Sequence, residues 1–459
     1  MLTIAAFLVV IGVLIFVHEA GHFLAAKAVG VQVLRFSLGI GRPLLAWRRG
    51  ETEYWVAWLP IGGYVKMAGL EDEGMAGDIE GGRSDVPVDP ARAFDKQPLW
   101  ARAVVLVAGV TMNLVLAFLV YTGLAGTVGV SRTNTTQIDT VWASVLPKGA
   151  EALGRLRRGE RIVTINEDSV HTLEEIIEKL ATQAPPLRLG VAGGEGGSTT
   201  SITLDVPREE GARLALIHAI DYYLPPRIES VQPGLPGDRG GLKPGDLVVR
   251  ANTDTIASWT QFTRLIRWSI HRPVDVTVWR DGRPVVVQIV PERRYGPDPH
   301  TGTDVAYGFV GIGPVTPSTR EHFGVIGALK EGARNTVGMV AQIVSIVKGL
   351  VSGELSVRQL GGPIAIAQQS GQAARLGWER FLVFLAFVSV TLAVLNLLPI
   401  PILDGGQLVF LLAEAVRRRP LSLALRLRLT QVGFVLIIGL MLLATSNDLI
   451  RVFNSVFGR

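Results

Sequence analysis

The chemistry that the sequence offers is concentrated in one short stretch near its start, FVHEAGHF at residues 16–23. His18 and His22 are four positions apart, so on an α-helix their imidazoles project from the same face, about one turn apart. Two imidazoles with this spacing can bind one Zn²⁺ ion, and Glu19 beside them can act as the general base of a metalloprotease. The stretch therefore predicts a zinc site for hydrolysis.

The surroundings of this motif are apolar, because residues 2–17 contain no charged side chain. A charge near the centre of a bilayer costs roughly 2.5 kcal/mol or more, and metal binding would offset that cost. The alternative is a set of polar side chains that satisfy one another inside a helix bundle without an ion. We favour the metal site over this alternative.

A third ligand must come from elsewhere, because a catalytic zinc ion takes three protein ligands and keeps one position open for water. Asp404 is the only acidic residue between Glu379 and Glu414, and it lies in NLLPIPILDGG at residues 396–406. Prolines and glycines interrupt a helix there, and irregular backbone at membrane depth is tolerated where it lines a cavity. We therefore expect Asp404 to face inward as the third ligand. The alternative is an interfacial residue that ends a helix.

Four apolar segments are long enough to carry these residues across a bilayer. They cover residues 2–28, 101–125, 381–403 and 429–445. The first could be mistaken for a cleaved signal peptide, but it lacks a basic start, its apolar run is long, and no A-x-A site follows a short apolar core. We predict that it is retained and that the chain is a polytopic α-helical membrane protein.

The positions of Lys and Arg predict the orientation of these segments. Five arginines lie in RRRPLSLALRLR, between the third and fourth segments, so that loop should be cytoplasmic. Four alternating spans then place both termini and residues 130–377 outside, and residues 27–100 inside. The zinc motif and Asp404 both lie towards the cytoplasmic ends of their segments. The alternative is that these basic residues are merely solvated.

An internal repeat lies between the second and third segments. GRLRRGERIVTINEDSV begins at Gly154, and GGLKPGDLVVRANTDTI begins at Gly240, 86 residues later. Each copy is followed by a helix-like stretch and by two strand-like runs, which indicates two copies of one small α+β module. The Gly-Leu-x-x-Gly-Asp turn of the second copy resembles a PDZ domain. The alternative is two structural β-domains without a peptide groove.

The remaining segments have weaker patterns. Residues 31–70 alternate and are rich in aromatic and β-branched residues, which predicts short strands. Residues 321–350 are amphipathic and predict a helix on the membrane surface or over the mouth of the site.

The predicted order is transmembrane helix 1 (residues 1–30), a cytoplasmic-side β-element and loop (31–99), transmembrane helix 2 (100–129), two PDZ-like domains (130–224 and 225–293), a linker with amphipathic surface helices (294–377), transmembrane helix 3 (378–406), a basic cytoplasmic loop (407–428), and transmembrane helix 4 with a tail (429–459).

These motifs together resemble the site-2 protease family of intramembrane zinc metalloproteases, in the bacterial branch with tandem PDZ domains. The matching stretches are HEAGH, GGYVKM, AGVTMN at residues 108–113, GGPIAIAQ, and the N-x-x-P-x-x-x-L-D-G pattern that begins at Asn396. The resemblance implies that residues 31–70 form a membrane-reentrant β-element, whose edge could pair with an unwound substrate helix.

The resemblance also implies the roles of individual residues. One catalytic Zn²⁺ would be held by His18, His22 and Asp404, with Glu19 as the base. The implied substrate-contacting residues are Asn396, Pro399, Gly109, Asn113, Gly62 and Gly63.

The activity that the resemblance implies is hydrolysis of peptide bonds within transmembrane segments, as in regulated intramembrane proteolysis. The implied substrate is a membrane-spanning anti-sigma factor after a first cleavage, and remnant signal peptides are a second class. The implied location is the bacterial inner membrane, with the PDZ-like domains on the periplasmic side, where they could bind peptide termini.

Two functions of other classes are compatible with parts of this pattern. One is a catalytically silent scaffold that presents PDZ-like modules, against which the intact H-E-x-x-H motif and Asp404 argue. The other is a metal transporter, which should have more polar residues in the second and fourth segments than Thr111, Asn113 and Gln431. The net charge of +5 is spread over 459 residues and does not indicate nucleic-acid binding. The chain has no cysteine, which excludes disulfides and Cys-based metal sites.

Overall fold

The computed structural model describes residues 1–69, 86–193, 199–232, 234–298, 304–353, 357, 361–419 and 421–457. Most of the predicted loop after the β-element, residues 70–85, lies outside the described residues. The α-helices are α1 (Leu2–Ala28), α2 (Leu99–Thr127), α3 (Leu173–Thr182), α4 (Glu210–His218), α5 (Pro236–Arg239), α6 (Trp259–Trp268), α7 (Val325–Ser352), α8 (Pro363–Arg375), α9 (Trp378–Asn396), α10 (Asp404–Arg417) and α11 (Leu423–Phe457). The β-strands are β1 (Val33–Arg49), β2 (Thr52–Met67), β3 (Val130–Thr133), β4 (Ile138–Val141), β5 (Arg161–Ile165), β6 (Asp168–Ser169), β7 (Leu187–Ala192), β8 (Thr199–Leu204), β9 (Ile220–Tyr222), β10 (Ile228–Val231), β11 (Leu247–Ala251), β12 (Asp254–Thr255), β13 (Val274–Arg280), β14 (Arg283–Ile289), β15 (Glu292–Pro297), β16 (Asp304–Phe309), β17 (Ile312–Pro314) and β18 (Ser318–Glu321).

The chain divides into two compact units. One unit comprises Met1–Gly129 together with His322–Arg459, and the other comprises Val130–Glu321. The first unit contains the long apolar helices and the β1–β2 element. The second contains the two copies of the repeat.

Among the described residues, five helices are long and apolar enough to cross a membrane, where the sequence predicted four spans. Helices α1, α2, α9 and α11 correspond to the predicted segments, and α7 is the fifth candidate. Helix α7 covers the stretch predicted to lie on the membrane surface or over the mouth of the site, and it packs along α2. A Cβ atom on Gly332 would lie 2.0 Å from Thr122 Oγ1, so the two helices are in close contact. Met339 and Val340 continue this contact and pack on the core between α2 and α9.

Small residues bring α1, α2 and α9 together around the zinc motif. A Cβ atom on Gly21 of α1 would lie 2.5 Å from the carbonyl oxygen of Ala108 in α2, so only glycine allows this approach. Ser389 of α9 donates a hydrogen bond of 2.7 Å to the carbonyl oxygen of Asn113 in α2. Helix α2 is therefore held against α1, which carries His18 and His22, and against α9, which ends at Asn396 before the turn that leads to Asp404.

The backbone after α9 makes a tight turn that places Asp404 at the start of α10. Helix α9 ends at Asn396, although the third apolar segment was predicted to extend to residue 403. A Cβ atom on Gly405 would lie 2.2 Å from the carbonyl oxygen of Leu397, and one on Gly406 would lie 2.1 Å from that of Ile400. These two glycines at the start of α10 allow the preceding turn to pack directly against the helix beside Asp404.

The β1–β2 element is a long ribbon that folds back on itself. Phe36 is paired with both Val65 and Tyr54, so the first half of β1 lies between two segments of β2. Arg35 is buried in this element, donates a hydrogen bond of 2.9 Å to Glu53 and lies over the ring of Trp55. The strands predicted between residues 31 and 70 are thus present, but as two long strands of 17 and 16 residues in one folded sheet and not as short strands.

The two repeat copies have the same topology. Their sheets have the strand orders β6-β5-β7-β8 and β12-β11-β13-β14. Asn166 and Asn252, which the repeat aligns, both have positive φ in the turn between the first two strands. The side-chain oxygen of each accepts a backbone hydrogen bond from the next strand of its sheet, at 2.7 Å for Asn166 and 3.0 Å for Asn252. The aligned asparagines are therefore structural turn residues.

A buried carboxylate joins the two copies. Asp139 of the first copy is fully buried and forms an ion pair of 2.7 Å with Arg158. It also accepts a hydrogen bond of 2.9 Å from the hydroxyl of Ser258, which caps the first turn of α6 in the second copy. Loss of this contact would leave a buried charge with fewer partners, so it holds the copies together.

Candidate metal centre

The three predicted ligand residues meet at one point. His18 Nε2 lies 3.2 Å from His22 Nε2 and 3.3 Å from Asp404 Oδ2, and His22 Nε2 lies 3.6 Å from the same oxygen. A tetrahedral zinc ion with bonds of about 2.0–2.1 Å needs ligand atoms that are about 3.3 Å apart. Within the described part of the chain, this is the one group of three or more such side chains with metal-ligand spacing.

The protonation of these groups also fits a cation. His22 Nδ1 lies 2.8 Å from the carbonyl oxygen of Val105, which can only accept, so Nδ1 carries a proton and the neutral ring can offer the Nε2 lone pair to a cation. Asp404 Oδ2 is buried and has no hydrogen-bond partner among the described residues. Electron pairs that face one another in a buried site need a positive charge between them. Two nitrogens and one carboxylate oxygen suit zinc better than magnesium or calcium, which prefer oxygen ligands.

Gly109 of α2 leaves room for the imidazoles. A Cβ atom at this position would lie 2.4 Å from His22 Nε2 and 2.7 Å from His18 Cε1. Any side chain here would displace the ligands. The resemblance implied a substrate contact at Gly109, and the structure places this residue directly against His18 and His22.

Two asparagines contact His18 from opposite sides of its ring. Asn113 Nδ2 lies 3.3 Å from His18 Nδ1, and Asn396 Nδ2 lies 3.3 Å from His18 Nε2. Asn113 is 0% exposed, whereas Asn396 is partly exposed. Asn396 therefore lies on the side where the three ligand atoms converge, and Asn113 lies behind the ring.

Glu19 is partly exposed and lies beside the glycine pair Gly62–Gly63 of strand β2. A Cβ atom on Gly63 would lie 3.0 Å from Glu19 Cγ and 2.7 Å from Ile15 Cγ2, so the glycine backbone runs directly past the helix. Gly62 has a φ of +90°, which favours glycine. The structure thus brings Gly63 to Glu19, and Gly62 precedes it against Ile40. Pro399 lies in the irregular segment after α9, where it is exposed.

Several residues that position the centre were not predicted from the sequence. Val105 acts through its backbone oxygen, which no sequence motif marks. Arg102 at the start of α2 makes a bidentate ion pair with Glu414 of α10, at 2.8 and 3.1 Å, and so ties the helix that begins at Asp404 to α2. The spacing of Val105, Gly109 and Asn113, four residues apart, was a signal that could have indicated one functional face of α2.

The three polar residues that were considered for a metal transporter do not line a continuous transport pathway from the metal centre. Thr111 is exposed and donates a hydrogen bond of 3.0 Å to Val107 of its own helix. Gln431 of α11 is exposed as well. Among the predicted candidates, only Asn113 contacts a residue of the metal centre.

Comparison with known proteins gives one family over almost the whole chain. The sequence profile described as peptidase family M50 matches residues 6–440. The chain is 34% identical over 466 residues to the "Putative zinc metalloprotease NMA0084" of Neisseria meningitidis serogroup A, covering 98% of this chain and 99% of that protein. It is 31% identical over 463 residues to the "Regulator of sigma-E protease RseP" of Escherichia coli K12, covering 98% of both. It is 31% identical over 474 residues to the "Protease RseP" of Yersinia pestis, again covering 98% of both.

Proposed function

Because the chain belongs to peptidase family M50 and is a zinc metalloprotease of the site-2 type, we propose that it hydrolyses peptide bonds inside the transmembrane segments of other membrane proteins. Its apolar helices and its relatives indicate a multi-pass protein of the bacterial inner membrane. The observation that carries the proposal is the convergence of His18, His22 and Asp404 on helices long and apolar enough to span a bilayer.

The three converging side chains would hold one zinc ion. When bound, the ion supplies Lewis acidity, which polarises a carbonyl group and makes a water molecule more acidic. Glu19, one position from His18, then accepts the proton of the attacking water on its carboxylate and returns it to the leaving amine. Its partial exposure and its place beside the Gly62–Gly63 turn support this role.

The residues around the centre would position an unwound substrate. A helical substrate hides its carbonyl groups in internal hydrogen bonds, so the cleaved segment must be extended. The Asn396 amide, beside His18 Nε2, would donate to a substrate carbonyl oxygen. The backbone at Gly62 and Gly63, next to Glu19, would add the extended segment as a strand, and Pro399 would line the same opening.

The names of relatives support a proposal for the substrate class. Two of the relatives reported above carry names that connect them with sigma-E regulation or with RseP. By that likeness we propose a membrane-spanning anti-sigma factor that has already been cleaved once, with remnant signal peptides as a second class. The repeats of the second unit would be PDZ-like domains on the periplasmic side, with grooves for peptide termini.

Replacement of the base tests the proposal most directly. Glu19→Gln should keep its zinc, measured by elemental analysis of purified protein, and should lose cleavage of a synthetic transmembrane peptide by at least about 100-fold, since general-base catalysis contributes about 10²–10⁴. Glu167→Gln, in a side chain that is 89% exposed on the second unit, is the matched control and should cleave normally. Cleavage by Glu19→Gln at the wild-type rate would exclude this mechanism.

A further inference from the structure

Three residues on one face of α2 contact the two histidines of the metal centre. Val105, Gly109 and Asn113 are spaced four residues apart and lie on this face. The Val105 carbonyl accepts from His22 Nδ1 at 2.8 Å, Gly109 leaves the space for both rings, and Asn113 lies 3.3 Å from His18 Nδ1. Each ligand histidine therefore has a partner on α2 at the ring nitrogen that faces away from the other ligands.

The two partners should have the same role. His18 Nε2 faces His22 Nε2 and Asp404 Oδ2, so it must keep its lone pair to bind a cation, and its proton must then be on Nδ1. An Nδ1–H group needs an acceptor. The side-chain amide of Asn113 lies within hydrogen-bond distance of that nitrogen, at 3.3 Å.

The Asn113 amide has an oxygen without a partner. Among the described residues, Asn113 Oδ1 is buried and accepts no hydrogen bond, while the residue as a whole is 0% exposed. The oxygen and the amino group of an asparagine are nearly equal in shape, so a 180° rotation about the last side-chain bond exchanges them. That rotation gives the orphaned oxygen the Nδ1–H group of His18 as its donor. It satisfies both buried groups at once.

We infer that Asn113 is a positioning residue for the metal centre, whose amide oxygen accepts the Nδ1–H group of His18 and directs the Nε2 lone pair to the ion. The inference rests on the proposed zinc site and differs from the substrate contact that the sequence implied for Asn113. Ser389 supports the role because its hydroxyl donates to the backbone oxygen of Asn113 and fixes that turn of α2. Outer partners of ligand histidines typically contribute about 10–100-fold to metal affinity.

The test is zinc affinity of the full-length protein in detergent, measured by competition with a chelator. Asn113→Leu has a similar volume and no acceptor, so we expect about 10–100-fold weaker binding. Asn113→Asp retains an acceptor at the same place and should bind zinc at least as tightly as the wild type. Thr111→Val, two positions away on an exposed side of α2, is the matched control and should not change the affinity.

Two further measurements separate positioning from folding. Thermal unfolding of the chelator-treated variants shows whether Asn113→Leu still folds without metal, and Asn113→Ser, which is smaller and offers only a displaced hydroxyl, replaces it if it does not. The visible absorption bands of the Co²⁺-loaded protein should shift in the Leu or Ser variant and should be retained in Asn113→Asp, because the bands report the ligand field at His18.

The outcomes distinguish the inference from the function on which it rests. If Asn113→Leu and wild type bind zinc equally well, or if Asn113→Asp loses as much affinity as Asn113→Leu, Asn113 does not position His18 and the inference is wrong. If the wild-type protein itself binds no zinc, the proposed function fails and the inference falls with it. Wild-type binding with selective weakening in the Leu variant supports both.

Discussion

Gly109 leaves the space in which the imidazoles of His18 and His22 meet. Because a Cβ atom there would lie 2.4 Å from His22 Nε2, Gly109→Ala should push a ligand away from the centre. Overpacking costs about 1–3 kcal/mol, and since about 1.4 kcal/mol is a tenfold change in an equilibrium constant, zinc affinity should fall about 10- to 100-fold. Cleavage of a transmembrane peptide should fall with it.

A second glycine on the same helix provides the control for this change. Gly123 of α2 has no atom within 4 Å of the position of a Cβ atom, so Gly123→Ala should retain zinc and activity. Its helix should be slightly more stable, because alanine loses less conformational entropy than glycine. Equal zinc affinity in Gly109→Ala and Gly123→Ala would contradict the steric role of Gly109.

Sequence reasoning at the residue level works where spacing alone encodes the geometry. The four-residue separation of His18 and His22 predicted one shared face, and the isolated position of Asp404 predicted an inward-facing acid. The structure brings these three side chains together. The hydrogen bond from His22 to the Val105 carbonyl could not be predicted, because every residue has a backbone carbonyl and only packing selects one.

Glu51 joins three elements of the first unit: the end of α1, the β1–β2 turn and the segment before α2. It makes a bidentate ion pair with Arg92, at 2.6 and 3.0 Å, and a contact with Lys27. Hydrogen bonds from Arg92 first, and then from Lys27, lower the pKa of the Glu51 carboxyl from its ordinary 4.5 to about 2. The contacts therefore stabilise the charged form.

The stability that Glu51 contributes should depend on pH. Because its folded-state pKa is depressed, the contribution is fully present above pH 4.5 and is lost as the pH falls towards 2. Glu51→Gln should thus lower the melting temperature in detergent at pH 6, and the gap from wild type should shrink at pH 3. A gap of the same size at both values would show that the ion pairs do not contribute through the carboxylate charge.

How well the bounds of each helix were predicted depends on the sequence feature used to predict them. The first apolar segment was predicted at residues 2–28, and α1 covers Leu2–Ala28, because a long run of apolar residues without proline marks both ends of this helix. The third was predicted seven residues too long, because the residues after Asn396 remain apolar although Pro399 and Pro401 break the helix. Residues 321–350 were predicted as an amphipathic helix and not as a span, because Glu331, Arg334 and several glycines lower the apolar character of this stretch. Helix α7 is present there, its length and composition make it a fifth candidate span, and its contact with α2 shows which face is buried.

Contacts between residues far apart in the sequence could not be predicted from sequence patterns. The repeat was found because its two copies align at a constant offset, and α3 and α6 preserve that offset in the structure. The contact of Asp139 with Ser258 joins residues from different copies that occupy unrelated positions of the repeat. No periodicity marks such a pair.

At the scale of the whole molecule, the second unit begins and ends in one short pair of strands. Strand β3 pairs with β18, with Thr133 opposite Ser318. The unit between them can therefore be removed by replacing residues 134–317 with an Asn-Gly turn, which suits a two-residue hairpin. The deletion leaves the paired strands and all residues of the metal centre in place.

This deletion tests whether the repeats act as a size filter. If they exclude substrates with large outer domains, the shortened protein should cleave such a substrate without prior trimming, and gel analysis of the cleaved fragment would show it. Cleavage of a short transmembrane peptide should be unchanged, which is the control for an intact centre. Continued dependence on prior trimming would reject the filter.

The face of α2 that carries Val105, Gly109 and Asn113 also limits how this helix can change in length. Each residue turns an α-helix by about 100°, so one inserted or deleted residue between positions 105 and 113 would rotate part of the set away from the histidines. Length variation in natural relatives should therefore occur beyond these positions or in the connecting loops. A functional chain with a single-residue insertion inside this interval would need a compensating bulge of the helix at the same place.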